Sequence, residues 1–283
     1  MAVDAQWVAL SLQKQIGGKT FQTLLQHFGH DLSVILGASV KDLCQVPRIG
    51  KKTAESIRSI NLNRIEADID RWGQRGVQIL TWHDDYYPAS LKLLDDAPPT
   101  IFVRGSLDVL QSQKCIAVVG TRQPSQDALK ITEDLIFRIV EFGYTVVSGL
   151  AFGIDHHAHS NTIVNQSKKM IAVLGSGVLN VYPPEHRGLA KTIIDGGALL
   201  CEVSPDATVS TPGLVSRNRL ITGLCDVVVI VESAVDGGAM HAGRFARLQK
   251  RKLYTVDLPA SGNQALIRDG VEALPANLDL LPF

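Results

Sequence analysis

Little cysteine, no net charge and no long apolar run characterise this 283-residue chain. Its four cysteines are widely separated, so no CxxC pair is present to hold zinc or to carry out redox chemistry. The longest apolar run, near residues 227–231, is far too short to cross a bilayer, and no basic stretch followed by an apolar one opens the chain. We therefore expect a reduced, soluble protein of the cytoplasm without membrane contact.

The balance of charges excludes a general attraction to polyanions. Lysine plus arginine number 28, as do aspartate plus glutamate, so any nucleic-acid binding must come from a local basic cluster. Common catalytic motifs are also missing: the chain has no P-loop, GxSxG or HExxH. Its glycine turns read GTRQPS and GSG, which differ from the GxGxxG of dinucleotide-binding enzymes. We expect no cofactor and no catalytic residues.

Short apolar, β-branched runs alternate with helical stretches from residue 115 onward. The runs occupy residues 115–120, 144–148, 170–175, 198–203, 226–232 and 253–257. Continuous apolar strands, each followed by a turn and a helix, are typical of a parallel sheet that is covered on both faces. The sequence therefore predicts an α/β fold, with an extended Rossmann-like parallel sheet and helices on both faces, over residues 66–283.

A small all-helical domain of the helix-hairpin-helix kind is predicted for residues 1–65. Apolar residues recur at helical spacing on both sides of a turn formed by Gly50, Lys51 and Lys52. This turn offers backbone N–H groups and lysines to a phosphate and is a candidate second DNA site; the alternative is a purely structural helix corner. Residues 66–112 are predicted to connect the domains, with a helix ending near residue 76 and edge strands at 77–81 and 101–103.

The stretch SGLAFGIDHHAHS, residues 148–160, follows one predicted strand and opens a helix. Gly149 and Gly153 would let the backbone approach a ligand closely, and Asp155 falls where a helix N-cap is favoured. Unpaired N–H groups at such a turn attract anions. Two other stretches have similar features: residues 118–125 also follow a predicted strand, and residues 216–223 place two arginines on either side of an asparagine. Because ligands of parallel sheets lie beyond the carboxyl ends of the strands, we expect these stretches to form one phosphate-facing edge.

Fourteen residues on this edge are candidates for binding DNA or phosphate. They are Gly120, Thr121, Arg122, Ser125, Ser148, Gly149, Phe152, Gly153, Asp155, Gly175, Gly177, Arg217, Asn218 and Arg219. Phe152 could stack on a base, with a half-buried core position as the alternative. Arg217 and Arg219 could instead be structural, paired with Glu202 or Glu232.

Two further groups of side chains receive structural interpretations. His156, His157 and His159 adjoin Asp155, but one short segment is a poor source of metal ligands. We therefore expect no metal, with Asp155 capping the helix and His159 packed or hydrogen-bonded. The basic run within residues 244–252 closes a predicted helix, where cations complement the helix dipole.

Five motifs resemble successive signatures of the DprA/Smf family over about residues 87–271. They are VVGTRQPS, SGLAFGIDHHAH, IAVLGSGVLNVYPPEH, PGLVSRNRLITGL and GNQALIRDG. Members of this family are DNA-processing proteins that bind single-stranded DNA and load RecA recombinase in natural transformation and recombination. The resemblance implies an extended Rossmann fold, no enzymatic turnover, a basic pocket for single-stranded DNA, a homodimer and a RecA partner.

The resemblance also assigns residues to the family's motifs. Arg122 matches the arginine of a GSR turn in which Thr121 replaces serine; Gly149, Gly153 and Asp155 match SGLAxGID. Arg217, Asn218 and Arg219 match RNR. The chain resembles a divergent member, because the family's SGSxxTA appears as residues 236–242 and the asparagine after YPP is His186. We expect it to lack the C-terminal winged-helix-like domain of many members, and to dimerise through residues 239–269.

The alternative function is an enzyme similar to the LOG-type nucleotide phosphoribohydrolases. These share the Rossmann variant and a glycine-rich helix start comparable to residues 236–238. Their catalytic glutamate lies in a PGGxGTxxE stretch, whereas residues 240–244 of this chain contain no carboxylate. Hydrolysis is therefore disfavoured, since general acid-base chemistry requires such a group.

Overall fold

The structure, a computed structural model, describes residues 3–275 of the chain. In the described part, six helices precede the first strand: α1 (Ala5–Ser11), α2 (Gly18–Phe28), α3 (Leu32–Gly37), α4 (Val40–Leu43), α5 (Lys51–Arg58) and α6 (Leu62–Gln74). Trp7 and Phe21 lie at the centre of their core, with ring centroids 4.6 Å apart. The Trp7 indole N–H donates to the Pro99 carbonyl at 2.8 Å, which ties the helical part to the rest of the protein.

The predicted helix-hairpin-helix segment lies between α4 and α5. Val46, Ile49 and Ile57 are buried at the positions that the helical spacing indicates. Gly50 is the N-cap of α5, so Lys51 and Lys52 belong to the first helical turn and not to the preceding loop. The loop itself turns at Arg48, whose φ of 71° is a left-handed value that usually favours glycine.

Nine strands of the described chain form one sheet. They are β1 (Gln78–Thr81), β2 (Thr100–Gly105), β3 (Cys115–Val119), β4 (Thr145–Ser148), β5 (Met170–Val173), β6 (Ala198–Cys201), β7 (Val227–Ile230), β8 (Lys252–Thr255) and β9 (Glu272–Ala273), in the order β1-β2-β6-β5-β4-β3-β7-β8-β9. Strands β3 to β9 pair in parallel, whereas β2 pairs antiparallel with both β1 and β6. The predicted extended Rossmann-like α/β fold is confirmed.

Eight helices of the described chain follow β1: α7 (Ala89–Lys92), α8 (Gln126–Glu141), α9 (Ile154–Val164), α10 (Arg187–Ile194), α11 (Thr211–Ser216), α12 (Asn218–Gly223), α13 (Ala239–Leu248) and α14 (Ser261–Arg268). They cover both faces of the sheet. Along β3, Ile116 and Val118 join one buried cluster while Ala117 and Val119 join the other. This alternation explains the uninterrupted apolar runs, because each strand residue is buried whichever face it points to.

Two details of the sheet differ from the sequence-based prediction. Residues 101–103 were predicted to be an edge strand, but β2 lies inside the sheet between β1 and β6. An interior position suits this strand because both of its faces are buried: Ile101, Phe102 and Val103 are all fully buried. The two-residue strand β9 was not predicted.

The boundary predicted between residues 65 and 66 falls within α6, whose Trp72 packs in the sheet core.

No helix in residues 3–275 combines the length and the apolar character that a membrane span requires.

The strand order reverses beside β3: β4, β5 and β6 lie on one side, and β7 and β8 on the other. In open parallel sheets, such a reversal opens a crevice at the carboxyl ends of the strands.

Candidate nucleic-acid interface

The turn after β3 is fastened to the end of β7. The Thr121 N–H donates to the Glu232 carbonyl at 2.7 Å, and the Ser125 N–H donates to the Glu232 carboxylate at 2.8 Å. The Ser125 hydroxyl accepts from the Ala128 N–H and so caps α8. Arg122 is exposed at the tip of this turn and forms no ion pair with any described residue. The turn therefore holds one free guanidinium at the strand reversal.

The loop after β4 differs from the prediction at the start of α9. The N-cap is Gly153 and not Asp155, which lies in the first turn of the helix. Gly153 has a φ of 75°, and a Cβ at this position would overlap the Thr121 carbonyl. Only glycine fits both the left-handed backbone and this contact. Asp155 is buried instead, and its carboxylate accepts from the Ala151 N–H at 3.4 Å.

Arg217 is the buried partner of Asp155. Its Nη1 donates to the Val173 carbonyl at 2.7 Å, and its Nη2 lies 3.6 Å from Asp155 Oδ2. Burial raises the pKa of the Asp155 carboxyl, and the charge of Arg217 opposes that rise. Gly149 lies against the guanidinium, since a Cβ at this position would overlap it. The glycine therefore makes room for an arginine of the same chain.

Arg219 belongs to a second ion-pair cluster and lines neither the groove nor the pocket described below. It bonds to the Glu202 carboxylate, and its Nε lies 3.4 Å from Asp96. Burial raises the pKa of Glu202, and Arg219 opposes this effect. Glu202 is one of the two acidic residues that the sequence suggested as ion-pair partners, should Arg217 and Arg219 be structural. Glu232, the other, is bonded to the turn after β3.

The remaining predicted glycines are packed where loops meet their neighbours, and Ser148 is the buried last residue of β4. A Cβ on Gly120 would lie 2.5 Å from the Ile154 side chain, and one on Gly175 would lie 2.8 Å from Leu214 Cα. A Cβ on Gly177 would overlap the Pro205 carbonyl. The buried Ser148 hydroxyl donates to the Val118 carbonyl at 2.6 Å. These residues set how closely the strand-end loops approach one another.

A shallow groove beside Arg122 carries two aromatic rings. Arg122, Phe152, Tyr182 and Leu214 line it. Phe152 is 41 % exposed and packs edge-on against His186 at 4.8 Å, so it lies outside the core. Tyr182, 37 % exposed, was not among the predicted residues, although an aromatic residue before two prolines signals an exposed turn. The groove places a free cation next to two partly exposed aromatic rings.

An open pocket of about 440 Å³ adjoins the groove at the strand reversal. Of the predicted residues, it is lined by Gly120, Thr121, Arg122, Asp155, Arg217 and Asn218. Its opposite wall contains Gly238 and His241 at the start of α13, which sequence reasoning did not assign to a binding site. The glycine-rich helix start at residues 236–238 was the sequence feature that could have indicated this wall of the pocket.

The predicted histidine cluster contacts the groove through His186, whose ring packs against both Phe152 and His156. His159 is fully buried, and neither of its ring nitrogens has a hydrogen-bond partner among the described residues. Burial above all lowers its pKa to about 3, so the ring is neutral. His156 contacts the Ser160 hydroxyl at 3.3 Å. Residues 3–275 contain no group of three or more His, Cys, Asp or Glu side chains arranged to hold a metal ion.

The predicted second site lies in the helical part of the protein. Lys51 and Lys52 are exposed on the first turn of α5, and Lys51 Nζ lies 3.9 Å from Glu55. Neither lysine lines the groove or the pocket. The two predicted sites are therefore separate.

Comparisons with known proteins identify the family to which this chain is similar. The model of the family described as DNA recombination-mediator protein A matches residues 78–281. Protein Smf of Synechocystis is 32 % identical over 288 residues, which span 98 % of this chain and 72 % of the relative. DNA processing protein DprA of Streptococcus pneumoniae is 33 % identical over 203 residues, which span 70 % of this chain and 71 % of that protein.

Two solved structures are also similar. The X-ray structure of DprA from Streptococcus pneumoniae has a TM-score of 0.84 and 24 % identity, with full coverage of both chains. The structure of DNA processing protein A from Helicobacter pylori, whose report concerns its single-stranded DNA binding mode, has a TM-score of 0.63 and 25 % identity over 69 % of this chain and 89 % of that chain. Since the family model matches well over half of the sequence, this chain belongs to the DNA recombination-mediator protein A family.

Proposed function

We propose that this protein binds single-stranded DNA without turnover and passes it to RecA recombinase during recombination or natural transformation. The observation that carries the proposal is the groove in which the free Arg122 adjoins the exposed rings of Phe152 and Tyr182. Sites for single strands combine cations that follow the phosphates with aromatic rings on which bases stack. The chain has no net charge, so such a local cluster is what it needs to hold a polyanion.

A single strand suits this groove better than a duplex does. Exposed rings stack on bases that have left a double helix, as the unpaired bases of a single strand have. The Helicobacter pylori relative with a reported single-stranded DNA binding mode supports the same ligand.

The carboxylates near the pocket favour binding over catalysis. Among the described residues that line the pocket, Asp155 is the only carboxylate, and it is buried against Arg217. A general acid or base must be free to exchange a proton with the substrate, whereas the Asp155 carboxylate is held in an ion pair with Arg217. We therefore propose a protein without enzymatic activity, in preference to a nucleotide phosphoribohydrolase. Mixing it with nucleoside monophosphates should release no free base.

The binding test compares single- and double-stranded oligonucleotides by fluorescence anisotropy across a salt series. Replacing Arg122 by alanine should weaken binding of a dT oligonucleotide by about 1–3 kcal/mol and reduce the salt slope by about 1, because one phosphate contact is lost. Arg64→Ala is the matched control, since Arg64 is exposed on α6 and outside the groove. Equal affinity and an unchanged slope for Arg122→Ala would show that the groove is not the site.

Two assembly properties belong to the same proposal. The protein is proposed to form a homodimer through residues 239–269, where Leu248 is 78 % exposed. A light-scattering mass of one chain at micromolar concentration contradicts this. RecA delivery is tested by the lag before RecA filaments form on single-stranded DNA, which the protein should shorten and Arg122→Ala should not.

A further inference from the structure

We infer that Asp206 is a positioning residue through which the helical part of the protein sets the shape of the groove. Its carboxylate joins the end of α6 to the loop between β6 and α11, residues 202–210. That loop supports two residues that line the groove, Tyr182 and Leu214. The effect of Asp206 on DNA affinity rests on the proposed function, whereas its effect on the loop does not.

The carboxylate of Asp206 accepts hydrogen bonds from three side chains at the end of α6. Its Oδ2 accepts from the Trp72 indole N–H and from Arg71 Nη2, each at 2.7 Å, and its Oδ1 accepts from Arg75 Nη1 at 3.2 Å. Trp72 is buried, with its ring centroid 5.5 Å from that of Phe102, so packing fixes the indole donor in place. A charge-assisted bond to a fixed donor holds its acceptor more firmly than an ion pair between two exposed side chains does.

The 202–210 loop is also bonded to the segment that leads to Tyr182. Two backbone hydrogen bonds of 2.9 Å run from that segment to the two carbonyls that flank Asp206. They join the Leu179 N–H to the Pro205 carbonyl and the Gly177 N–H to the Ala207 carbonyl. Because both bonds end beside Asp206, a displacement of Asp206 moves residues 177–180 and with them the aromatic wall of the groove.

The same loop leads into α11, which carries Leu214. Ser210 is the N-cap of α11: its hydroxyl accepts from the Gly213 N–H at 3.1 Å, and its carbonyl accepts from the Leu214 N–H at 2.9 Å. Leu214 Cα lies 2.8 Å from a Cβ built on Gly175, so α11 packs closely on the loop after β5. Since only a short stretch of chain joins Asp206 to Ser210, the anchor at Asp206 limits where α11 begins.

The direction of the effect on DNA binding separates positioning from charge. Asp206 is not among the described residues that line the groove or the pocket, so it acts through the loop and not by contact with DNA. Removal of a carboxylate reduces the repulsion of a polyanion and, by itself, strengthens binding. Weaker binding after Asp206→Ala therefore reports displaced walls of the groove.

Asp68 supplies the matched control. It lies on α6 and pairs with Arg71 at 2.9 Å, but within residues 3–275 no hydrogen bond or ion pair joins it to the 202–210 loop. Asp68→Ala thus removes the same charge and a partner of the same arginine, while Asp206 still holds the loop. Asp206→Asn is the conservative variant, because its amide oxygen can still accept from the Trp72 indole N–H.

The experiment combines hydrogen exchange on the free protein with fluorescence anisotropy of a dT oligonucleotide. In Asp206→Ala, amide exchange of residues 177–183 and 204–216 should become about tenfold faster, the effect of losing a charge-assisted hydrogen bond on local opening, with β3 unchanged as the internal reference. The same variant should bind dT several-fold more weakly at a temperature where circular dichroism shows it folded. Asp68→Ala should match the parent in both measurements, and Asp206→Asn should recover most of the loss.

Three results overturn the inference. The first is parent-like exchange of both segments in Asp206→Ala, and the second is faster exchange with unchanged dT affinity. The third is equal weakening by Asp68→Ala, because the change of charge would then be responsible. A parent that binds no dT contradicts the proposed function, and the exchange of the two segments still decides whether Asp206 holds them. If faster exchange in β3 shows that Asp206→Ala unfolds, Asp206→Asn with its weaker anchor gives both measurements.

Discussion

The guanidinium of Arg217 occupies the space that a side chain on Gly149 would need. The arginine cannot move aside freely, because the Val173 carbonyl and Asp155 hold it and its side chain is buried. The glycine of the β4 loop and the arginine that precedes α12 are thus fitted to each other. This contact joins two motifs that are far apart in the sequence.

Gly149→Ala should destabilise the protein. The added methyl group overlaps the guanidinium and forces the buried ion pair to shift, at a cost of about 1–3 kcal/mol. Urea denaturation measures the loss. Gly188→Ala is the control, since its Cβ meets no atom within 4 Å in α10 and should gain up to about 1 kcal/mol. An unchanged urea midpoint for Gly149→Ala would contradict the proposed fit.

Arg217→Met should lower stability far more than Arg122→Ala does. It leaves the Asp155 carboxylate buried without its cation, which costs about 3–5 kcal/mol for such pairs. Adding Asp155→Asn removes the stranded charge and should recover part of the loss. A double-mutant cycle followed by denaturation measures the coupling. Additive effects of the two substitutions would show that the pair does not interact.

Phe152→Ala and Tyr182→Ala should each weaken binding of a dT oligonucleotide by about 1–3 kcal/mol, the range for loss of one stacked base. Their melting temperatures should change little, because both rings are substantially exposed. Phe152→Tyr keeps a ring face and should keep the affinity. Leu93→Ala removes an exposed apolar side chain outside the groove and serves as the control. Full affinity in both alanine variants would exclude stacking.

Stability should fall as the pH drops below about 6.5 because of His159. The folded-state pKa of His159 is lowered to about 3 from 6.5, so between these values the unfolded chain binds a proton that the folded chain does not. This difference amounts to about 2 kcal/mol at pH 5. Asp155 and Glu202, whose pKa values are raised by burial, act in the opposite direction.

The His159→Met variant separates these contributions, because it keeps the carboxylates and removes the imidazole. Melting temperatures at pH 7.5 and pH 5 should differ less in this variant than in the parent. The same pH dependence in both proteins would mean that His159 is protonated as readily in the folded state as in the unfolded state.

The sequence was sufficient to predict the strands that depend on local residue patterns. Runs such as 116–119 and 227–231 predict buried strands because every residue is apolar, and they became β3 and β7. The short β9 was missed, since two residues form no pattern, and β2 was placed at an edge because its partner β6 lies nearly a hundred residues further along the chain.

The sequence by itself determined the family motifs, the parallel sheet and the place of three arginines in segments that follow its strands. It left a structural alternative open for Arg217 and Arg219, but it could not decide which acidic residue pairs with each of them. Only the tertiary structure decided that Asp155 lies beside Arg217, that Glu202 and Asp96 lie beside Arg219, and that Arg122 has no such partner within residues 3–275. The physical reason is that an ion pair depends on separations of about 4 Å or less between side chains brought together from different loops.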